Sequence, residues 1–396
     1  MRRETSPNIK TILLITEAPH NGGTDTFCMT VAQNFKKRGW KTELLVNKEH
    51  ANLAELSKHF DQTYFFSLYM LSTYSKRFGI FYRILILFLY PFLYLSVGLS
   101  VWLKIRKTKP DLVMVVNGGF PGGFLTYGAL LGCGISRTVR TIYSIHNYPV
   151  YPWHFLLYNA IIERLCSQFG KHLILTTVSE NCKQDIETHS FLRKPLHVVH
   201  NGIPDPLATP PGVRQLTDTT HLVCVANFEP RKGQNILISA FLKLNFADAK
   251  LSLYGRVSDP EYYESLKKLA GNRPDIHFIS GVSDKTALFS NKHLLILPSI
   301  SHESFGLVLL EAMTFGIPIL ASDGLGMSEV IEKDSHFPPG LLFKKGDSDD
   351  LKQKIELILN NKDSYEQYSR NARLLYENYF SDDKMINNYL SLINNN

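Results

Sequence analysis

The stretch LLILPSISHESFGLVLLEAMTFGIPILASD, residues 294–323, contains one complete strand–helix–strand unit. Its first apolar run, LLILPS (294–299), ends in a polar loop, and a helix is predicted to begin at about 305–307 and to end at Gly316. A glycine at that position is typical of a helix C-terminus. A second apolar run, PILASD (318–323), follows at once. Short apolar strands that alternate with helices predict a parallel β-sheet.

The same alternation continues through both halves of the chain. In the first half, the runs that are typical of strands are 11–16, 41–46, 111–116, 139–145, 173–178 and 196–200. In the second half, they are 221–227, 249–255, 276–280, 294–299 and 318–323. We therefore predict an α/β chain with two doubly wound, Rossmann-like domains that face each other across a crevice, where the carboxyl ends of the strands bind ligands.

A proline-rich passage separates the two halves. This passage, GIPDPLATPPGVRQLTDTT (202–220), is predicted to be a linker between an N-terminal domain (1–201) and a C-terminal domain (221–376). The closing stretch, 377–396, is polar with a helical pattern, and no sixth strand is apparent after it. We expect this last helix to pack back on the N-terminal domain. A length of 396 residues fits two cores better than one.

Composition excludes several classes of protein. The five cysteines are scattered and form no CxxC pair, which argues against structural zinc and redox chemistry and favours a reducing compartment. The first apolar run, 11–15, is only five residues long and is soon followed by Glu17, so it predicts a strand and not a signal peptide. The net charge of +7 is uneven, because residues 1–200 carry +11 and residues 201–396 carry −4. Such a basic half fits an anionic membrane, nucleic acid or phosphorylated ligands, or it is an accident of surface composition.

An uncharged apolar run of 20 residues, ILILFLYPFLYLSVGLSVWL (84–103), lies between basic flanks. Its length alone would allow a transmembrane helix. The predicted strands on both sides of it belong to one sheet, and a single crossing would place them on opposite sides of a bilayer. We therefore expect a helix or a broken helical hairpin, bent at Pro91, that dips into or lies on the membrane with its basic flanks on anionic headgroups. The alternatives are a helix buried inside the domain and a true spanning helix.

Two acidic residues accompany the apolar helix of 294–323. Glu303 lies in the loop before the helix, and Glu311 lies within it. Backbone N–H groups at a helix N-terminus attract phosphate, whereas carboxylates suit hydroxyl groups, and a sugar nucleotide supplies both. In VCVANFEPRKGQNILISAF (223–241), Arg231 and Lys232 stand at a strand-to-helix turn, where they could hold a diphosphate. Each feature alone also fits an ordinary helix residue or a solvated turn.

Together these segments resemble the retaining GT-B glycosyltransferases of family 4, also called glycosyl transferases group 1, of the bacterial cell-surface polysaccharide type. HESFGLVLLEAMTFGIPILAS is similar to that family's E-x7-E segment, with Glu303 and Glu311 at its two glutamates. ANFEPRKGQNILISAF is similar to its diphosphate segment, with Lys232 before the glycine. Further similar segments, in the family's order, are APHNGGTDTF (18–27), TIYSIHN (141–147), TTVSE (176–180) and VVHNGIP (198–204).

The resemblance implies three catalytic residues and one that binds the nucleotide. Glu303 would hold hydroxyls of the transferred sugar, and His146 would lie beside that sugar from the opposite domain. Lys232 would neutralise the leaving diphosphate. Glu311 would bind the ribose hydroxyls of the donor.

The resemblance also implies contacts through the backbone. The amides of Phe305, Gly306 and Leu307 would face the sugar and the phosphate. Gly22 and Gly23 would let the N-terminal loop approach the phosphates closely, which a Cβ would block.

The chain departs from the family pattern at several positions. Where the family often has Gly-Arg, this chain has Ala226 and Asn227, so the usual arginine is missing and Arg231 is its candidate replacement. Both Asn227 and Arg231 are kept as substrate-binding candidates. Asn147 stands where an aspartate often follows the histidine, and Glu329 in GLGMSE only partly matches a downstream glutamate.

The function implied is transfer of a hexosyl or N-acetylhexosaminyl group from a nucleotide-diphosphate sugar, such as a UDP-sugar, to a saccharide or lipid-linked acceptor. The family retains anomeric configuration, and the role expected is in cell-surface polysaccharide or glycolipid synthesis. The family acts without a metal, so no metal and no cofactor are expected. DSDD (347–350) has the form of a metal-binding DxD, but acidic residues are typical of a helix start. The basic half and the apolar segment predict a cytoplasmic protein at the inner face of a membrane.

Three other functions are weighed against this one. The first is a catalytically inactive GT-B protein that binds a sugar nucleotide or a partner. The second is a dinucleotide oxidoreductase, but GxGxxG is absent after the first strand. The third, nucleic-acid binding, rests only on the basic half, and we expect no nucleic-acid partner.

Overall fold

A computed structural model describes residues 10–17, 22–66, 71–137, 139–151, 156–246, 248–281, 284–301 and 303–395, and over 71–87 it describes the backbone alone. The chain divides into two compact units. Unit 1 comprises residues 1–200 and 385–396, and unit 2 comprises residues 201–384.

Unit 1 contains a seven-stranded sheet in which all neighbouring strands are parallel. The strands are β1 (Thr11–Thr16), β2 (Lys41–Asn47), β3 (Gln62–Phe66), β4 (Leu112–Asn117), β5 (Arg140–Ile145), β6 (Leu173–Thr177) and β7 (Leu196–Val198). Their order is β3-β2-β1-β4-β5-β6-β7. β4 is buried along its whole length, and its first five residues form a continuous apolar run. The reversal of order between β1 and β4 is the place where doubly wound sheets bind ligands.

Helices cover both faces of this sheet. They are α1 (Gly23–Lys37), α2 (Leu53–Lys58), α3 (Leu71–Thr108), α4 (Phe124–Ile135), α5 (Leu156–Cys166), α6 (Glu180–His189) and a C-terminal helix (Asp382–Asn395). Helices α3 to α6 contribute to one hydrophobic cluster, as right-handed crossovers require. Helices α1 and α2 contribute to a second cluster. Met385, Ile386 and Tyr389 of the C-terminal helix are buried in that second cluster.

The predicted membrane segment lies in α3, which is continuous over 38 residues with Pro91 inside it. A broken hairpin is therefore not formed. Since β3 precedes α3 and β4 follows it in the same sheet, α3 is a crossover helix of unit 1. Within the described residues, Phe88–Thr108 is the one helical segment long and apolar enough to cross a membrane, and 33% of its apolar 18-residue window is buried.

One side of α3 packs closely on α4. A Cβ added to Gly132 would lie 2.4 Å from the carbonyl oxygen of Gly98, and one added to Gly128 would lie 2.4 Å from Val97 Cγ1. These glycines let the two helices approach more closely than larger residues would allow. The hydroxyl of Tyr94, which is buried, donates to the carbonyl oxygen of Tyr127 at 2.7 Å. Over residues 88–103, one side of α3 is therefore buried in unit 1 and the opposite side is exposed.

A carboxylate is buried between α5 and its neighbours. Glu163 is fully buried and accepts hydrogen bonds from the hydroxyls of Tyr127 at 3.0 Å and Tyr151 at 2.9 Å. It also accepts one from the backbone N–H of Phe191 at 2.8 Å. Burial raises the pKa of Glu163 to about 7, although the three donors favour the charged form. Glu163 thereby joins α4, the segment after β5 and the segment after α6.

Unit 2 contains a six-stranded sheet that is also parallel throughout. Its strands are β8 (Thr220–Val225), β9 (Ala249–Tyr254), β10 (Ile276–Ile279), β11 (Leu294–Leu297), β12 (Ile319–Ser322) and β13 (Gly340–Phe343). Their order is β10-β9-β8-β11-β12-β13. The helices are α7 (Gln234–Phe241), α8 (Pro260–Ala270), α9 (Lys285–Phe289), α10 (Leu307–Thr314), α11 (Gly326–Ile331), α12 (Ser348–Leu359) and α13 (Lys362–Leu375).

The structure corrects the predicted strand count in both units. Neither β3 nor β13 was predicted, and the expectation of five strands in the second half is wrong. Both are edge strands, of five and four residues, and short edge strands carry little pattern. The predicted helix limits near 305–307 and Gly316 agree with α10, after which Gly316 takes a φ of 62°.

All five cysteines are free and buried. Burial raises the pKa of the thiols of Cys28, Cys133, Cys166 and Cys224. The thiols therefore serve as apolar core groups.

Candidate active site

The turn from β8 to α7 presents Lys232 at the carboxyl edge of the unit 2 sheet. Residues Pro230–Lys232 form a single 3₁₀ turn, and Gly233 takes a left-handed φ of 67° before α7 begins. A Cβ at Gly233 would lie 2.1 Å from the carbonyl oxygen of Pro298, just after β11. Glycine therefore allows this turn to pass against the end of the neighbouring strand.

Glu303 and Lys232 meet at this edge. Lys232 Nζ donates to Glu303 Oε2 in an ion pair, and the two side chains are only 12% and 14% exposed. The hydroxyl of Ser299 lies 3.4 Å from the same carboxylate oxygen. The backbone N–H of Gly326 donates to the Glu303 carbonyl at 3.1 Å, which holds the loop from the other side. The structure thus brings together two of the three predicted catalytic residues.

Helix α10 begins directly after the Glu303 loop. Gly306 is its N-cap with a φ of 83°, and no side chain caps the helix. Phe305 is 2% exposed, and its ring lies edge-on to Phe380 with 6.0 Å between centroids. The predicted backbone contacts at Phe305, Gly306 and Leu307 therefore lie at an uncapped helix N-terminus, which is a common site for anions.

Glu311 lies on α10, and its side chain is 13% exposed. It forms an ion pair with Lys285, the first residue of α9, whose side chain is 46% exposed. The sequence analysis did not find Lys285, because it lies 26 residues before Glu311 and no local pattern links the two. A half-exposed cation on this carboxylate could be displaced by hydroxyl groups of a ligand.

Arg231 and Asn227 lie in the same turn as Lys232. The Arg231 guanidinium forms an ion pair with Glu229 at 2.7 Å. The Asn227 carbonyl accepts a hydrogen bond from the Gln234 side chain at 2.9 Å. That Arg231 replaces the missing arginine stays a prediction.

His146 follows β5 at the carboxyl edge of the unit 1 sheet. Its backbone N–H donates to the Asn117 carbonyl at 2.9 Å, and its Nε2 lies 3.0 Å from the Ser144 hydroxyl. The Phe27 ring packs edge-on against it, with 4.3 Å between centroids. Burial lowers the pKa of His146 to about 3, so the imidazole is neutral at pH 7. A neutral ring can exchange hydrogen bonds with a hydroxyl but supplies no positive charge.

The predicted glycine loop APHNGGTDTF is described in part, because residues 18–21 lie outside the described residues. Gly22 is the N-cap of α1 with an extended backbone, and Gly23 is the first residue of the helix. A Cβ at Gly22 would meet no described atom within 4 Å. Packing among the described residues therefore does not demand glycine at position 22, and it leaves room beside the α1 N-terminus.

The acidic run DSDD forms the start of α12. The Asp347 carboxylate accepts hydrogen bonds from the backbone N–H groups of Asp349 at 3.0 Å and Asp350 at 3.1 Å. In the part of the chain that the structure describes, no three His, Cys, Asp or Glu side chains come together as a metal site would require. Glu329, the partial match, lies in the first turn of α11. Independence from metal stays a prediction.

Known proteins share parts of this sequence and the whole fold. An uncharacterized glycosyltransferase of Haemophilus influenzae is 25% identical over 235 residues, which are 57% of this chain and 65% of that protein. The match thus spans less than two thirds of that relative's own length. A glycosyltransferase from Rickettsia africae has a crystal structure with a TM-score of 0.76 at 19% identity, covering 97% of this chain and 98% of its own. Anabaena Alr3699/HepE, solved in complex with UDP and glucose, has a TM-score of 0.72 at 18% identity, covering 97% and 99%.

Two family models match the chain one after the other. The model Glycosyltransferase Family 4 matches residues 21–205, and the model Glycosyl transferases group 1 matches residues 213–375. The first match lies almost wholly in unit 1 and the second lies in unit 2. Together with the fold shared with solved glycosyltransferases, they confirm the family and the GT-B fold predicted from the sequence. The chain therefore belongs to the GT-B glycosyltransferases of family 4.

Proposed function

We propose that this protein is a glycosyltransferase that takes its sugar from a nucleotide-diphosphate sugar. The observation that carries the proposal is the Lys232–Glu303 pair beside the uncapped N-terminus of α10. A diphosphate requires a cation and backbone donors, whereas a sugar hydroxyl requires an acceptor such as a carboxylate. All three kinds of group lie within one loop and one turn at the carboxyl edge of the unit 2 sheet.

The proposed chemistry begins when the bond between the sugar and the diphosphate breaks. Negative charge then grows on the diphosphate, and the Lys232 ammonium and the first N–H groups of α10 would stabilise it. Glu303, released from Lys232, would accept hydrogen bonds from the hydroxyls of the transferred sugar. We propose retention of anomeric configuration, in which the leaving phosphate oxygen takes the proton of the acceptor hydroxyl. This route needs neither a separate protein base nor a metal ion.

Other residues are proposed to bind the donor. Glu311 would accept hydrogen bonds from the ribose hydroxyls, which would replace the ammonium of Lys285 as its partner. His146 would exchange hydrogen bonds with a sugar hydroxyl as a neutral ring, and Gly22 and Gly23 would make room for the phosphates. The Anabaena complex with UDP and glucose supports a uridine nucleotide as the donor.

The acceptor is proposed to be a saccharide or a lipid-linked saccharide, and the transferred group a hexosyl or N-acetylhexosaminyl group. The transfer reaction would take place in the cytoplasm at the inner face of a membrane, as a step in the synthesis of a cell-surface polysaccharide or glycolipid. Two observations support this location: the charge of +11 over residues 1–200 and the exposed apolar side of α3.

A panel of nucleotide sugars tests the proposal. The donor that most raises the melting temperature is then incubated with the enzyme, and release of nucleoside diphosphate is measured. Lys232→Met and Glu311→Gln should each lower turnover by about 10²-fold or more, because groups that stabilise the leaving charge or hold the donor have effects of this size. Lys267→Met is the matched control, since Lys267 lies on α8 in an exposed pair with Glu264.

The outcomes separate the proposal from its alternatives. Turnover by Lys232→Met at the level of the unaltered enzyme would contradict the site. Donor binding without turnover of any donor would favour the inactive GT-B alternative. The anomeric configuration of the product, read by NMR, decides between retention and inversion.

A further inference from the structure

The outer faces of α3 and α5 carry rows of exposed apolar side chains. On α3 these residues are between 53% and 70% exposed and recur every three or four positions: Phe88, Phe92, Leu95, Leu99 and Leu103. On α5 they are between 50% and 72% exposed and recur every four positions: Leu157, Ile161 and Leu165. These spacings place each row on a single helical face. Single exposed apolar residues are ordinary, but continuous rows mark interaction sites.

The two rows lie on helices that touch each other. The Tyr90 ring of α3 lies 5.9 Å from the Tyr158 ring of α5, measured between centroids. The Tyr90 hydroxyl lies 3.5 Å from the Asn159 side-chain oxygen. Tyr90 is itself only 7% exposed, so this contact lies beneath the outer surface. We call the eight apolar residues of the two rows the α3–α5 face.

The segment of the chain that contains α3, α4 and α5 is strongly basic. Residues 62–179 carry 11 Lys and Arg but only two acidic residues. Of these, Glu163 is buried under α5, and Asp111 accepts a hydrogen bond from the backbone N–H of Thr11 at 2.7 Å. Exposed cations gather where α3, α4 and α5 end and the next strands begin: Arg106, Lys107, Lys109, Arg137, Arg164 and Lys171.

This combination of apolar rows and basic rim fits an anionic lipid surface. Apolar side chains can enter the boundary between headgroups and acyl chains, while lysine and arginine remain among the phosphates. A second copy of the chain fits poorly, since a twofold contact through this face would oppose two basic rims. Nucleic acid would match the cations but would leave the apolar rows in water.

The packing of α3 argues against a spanning arrangement. Tyr94, Val97 and Val101 on its inner side are at most 1% exposed and belong to the core of unit 1. A helix surrounded by lipid would have to leave that core. Only the outer side of α3 is therefore available to a membrane.

We propose that the α3–α5 face docks in the plane of an anionic membrane leaflet, inserted to about the depth of its side chains and without crossing the bilayer. The proposal rests on the membrane location proposed above, which invoked α3 alone. It adds α5 as a second contact helix and places the helix ends with their cations among the headgroups. Insertion to roughly 5–10 Å is typical of helices that lie in this way.

Co-sedimentation of the full chain with vesicles tests the proposal. Vesicles of mixed phosphatidylglycerol and phosphatidylcholine should bind the protein, and binding should weaken in pure phosphatidylcholine and at high salt. Ile161→Glu on α5 and Leu99→Glu on α3 should each lower partitioning about tenfold or more, because a charge replaces an inserted side chain. Leu357→Glu is the matched control: this leucine is 57% exposed but lies on α12 of unit 2.

Two further measurements keep docking separate from catalysis and folding. The rise in melting temperature caused by UDP should be the same for Ile161→Glu and for the unaltered chain, because Ile161 is not among the residues proposed to bind the donor. Lys232→Met should bind vesicles normally even though it is expected to be inactive. Loss of the UDP effect in the unaltered chain would count against the proposed function and leave docking standing.

Three results would overturn the docking proposal. The first is failure of the unaltered chain to bind anionic vesicles. The second is unchanged binding by Ile161→Glu, which would remove α5 from the surface. The third is a dimer, seen by analytical ultracentrifugation, that Ile161→Glu dissociates, since a second copy would then cover the face.

Discussion

Replacing Glu163 by glutamine is expected to remove a pH dependence from the stability of unit 1. Burial raises the pKa of this carboxyl from an ordinary 4.5 to about 7. Below pH 4.5 the group is protonated in both the folded and the unfolded chain, and it contributes no pH dependence. Between pH 4.5 and about pH 7 the Glu163 carboxyl is deprotonated in the unfolded chain but still protonated in the folded chain. The free energy of unfolding therefore falls as the pH rises. The gap between the two pKa values corresponds to about 3 kcal/mol.

The groups that face Glu163 are mostly neutral at these pH values. They are the tyrosines of α3, α4, β5 and the segment after β5, and Cys166 of α5. Burial and the nearby carboxylate raise the pKa of Tyr151 and Tyr127, which keeps both hydroxyls as donors. The loss of stability is therefore assigned to Glu163 itself. Glutamine keeps an acceptor oxygen but has no charge to bury.

Tryptophan fluorescence during urea unfolding measures the effect. All three tryptophans, Trp40, Trp102 and Trp153, belong to unit 1, so the signal reports on that unit. Between about pH 5 and about pH 8, the free energy of unfolding of the unaltered chain should fall by roughly 2–3 kcal/mol more than that of Glu163→Gln. Glu187→Gln, a change at an exposed glutamate of α6, should behave like the unaltered chain. Equal losses in the unaltered chain and in Glu163→Gln would refute the reasoning.

Three further predictions concern glycine contacts and metal. Gly132→Ala should destabilise unit 1 by about 1–3 kcal/mol, because its Cβ would lie 2.4 Å from the Gly98 carbonyl oxygen. An unchanged midpoint of urea unfolding, followed by tryptophan fluorescence, would show that α3 and α4 are not so close. Gly233→Ala should lower both the melting temperature and the turnover. The left-handed φ of 67° alone should reduce the free energy of unfolding by about 1–2 kcal/mol. An unchanged melting temperature in calorimetry would contradict the left-handed turn. EDTA should leave turnover unchanged, whereas a loss restored by manganese would show that a metal is needed.

The central strands could be predicted from the sequence because both of their faces are buried. Strands such as β4 and β11 are uninterrupted apolar runs. The edge strands were missed for the converse reason. In β3 no residue of QTYFF is fully buried, and β13 has only four residues, so neither has a long apolar run.

The two sides of α3 could not be separated from the sequence, because both are apolar. The inner residues contact α4 and the outer residues are exposed, yet leucine, valine and aromatic residues occur on both sides. Tertiary packing, not periodicity, distinguishes them. The exposed row of α5 was also missed, since three apolar residues spaced by four are usual in a core helix.

The candidate site was predictable where residues are close in sequence. Glu303 and the N-terminus of α10 belong to one loop and one helix, and the turn that holds Lys232 has its own glycine. The contact between Lys232 and Glu303 spans 71 positions, and the contact between Lys285 and Glu311 spans 26. Family resemblance suggested that Lys232 and Glu303 act together, but Lys285 matched no part of the quoted family segments, so only the fold revealed it.

Because all five native thiols are buried, we expect them to be unreactive toward reagents that modify cysteine. The raised pKa of four of them leaves almost no thiolate at neutral pH, and the thiolate is the species that reacts with maleimides and peroxides. A cysteine placed at an exposed position of the chain would therefore be labelled selectively without removing the native ones. A nitroxide or a fluorophore attached in this way could test, residue by residue, whether the α3–α5 face enters lipid as proposed.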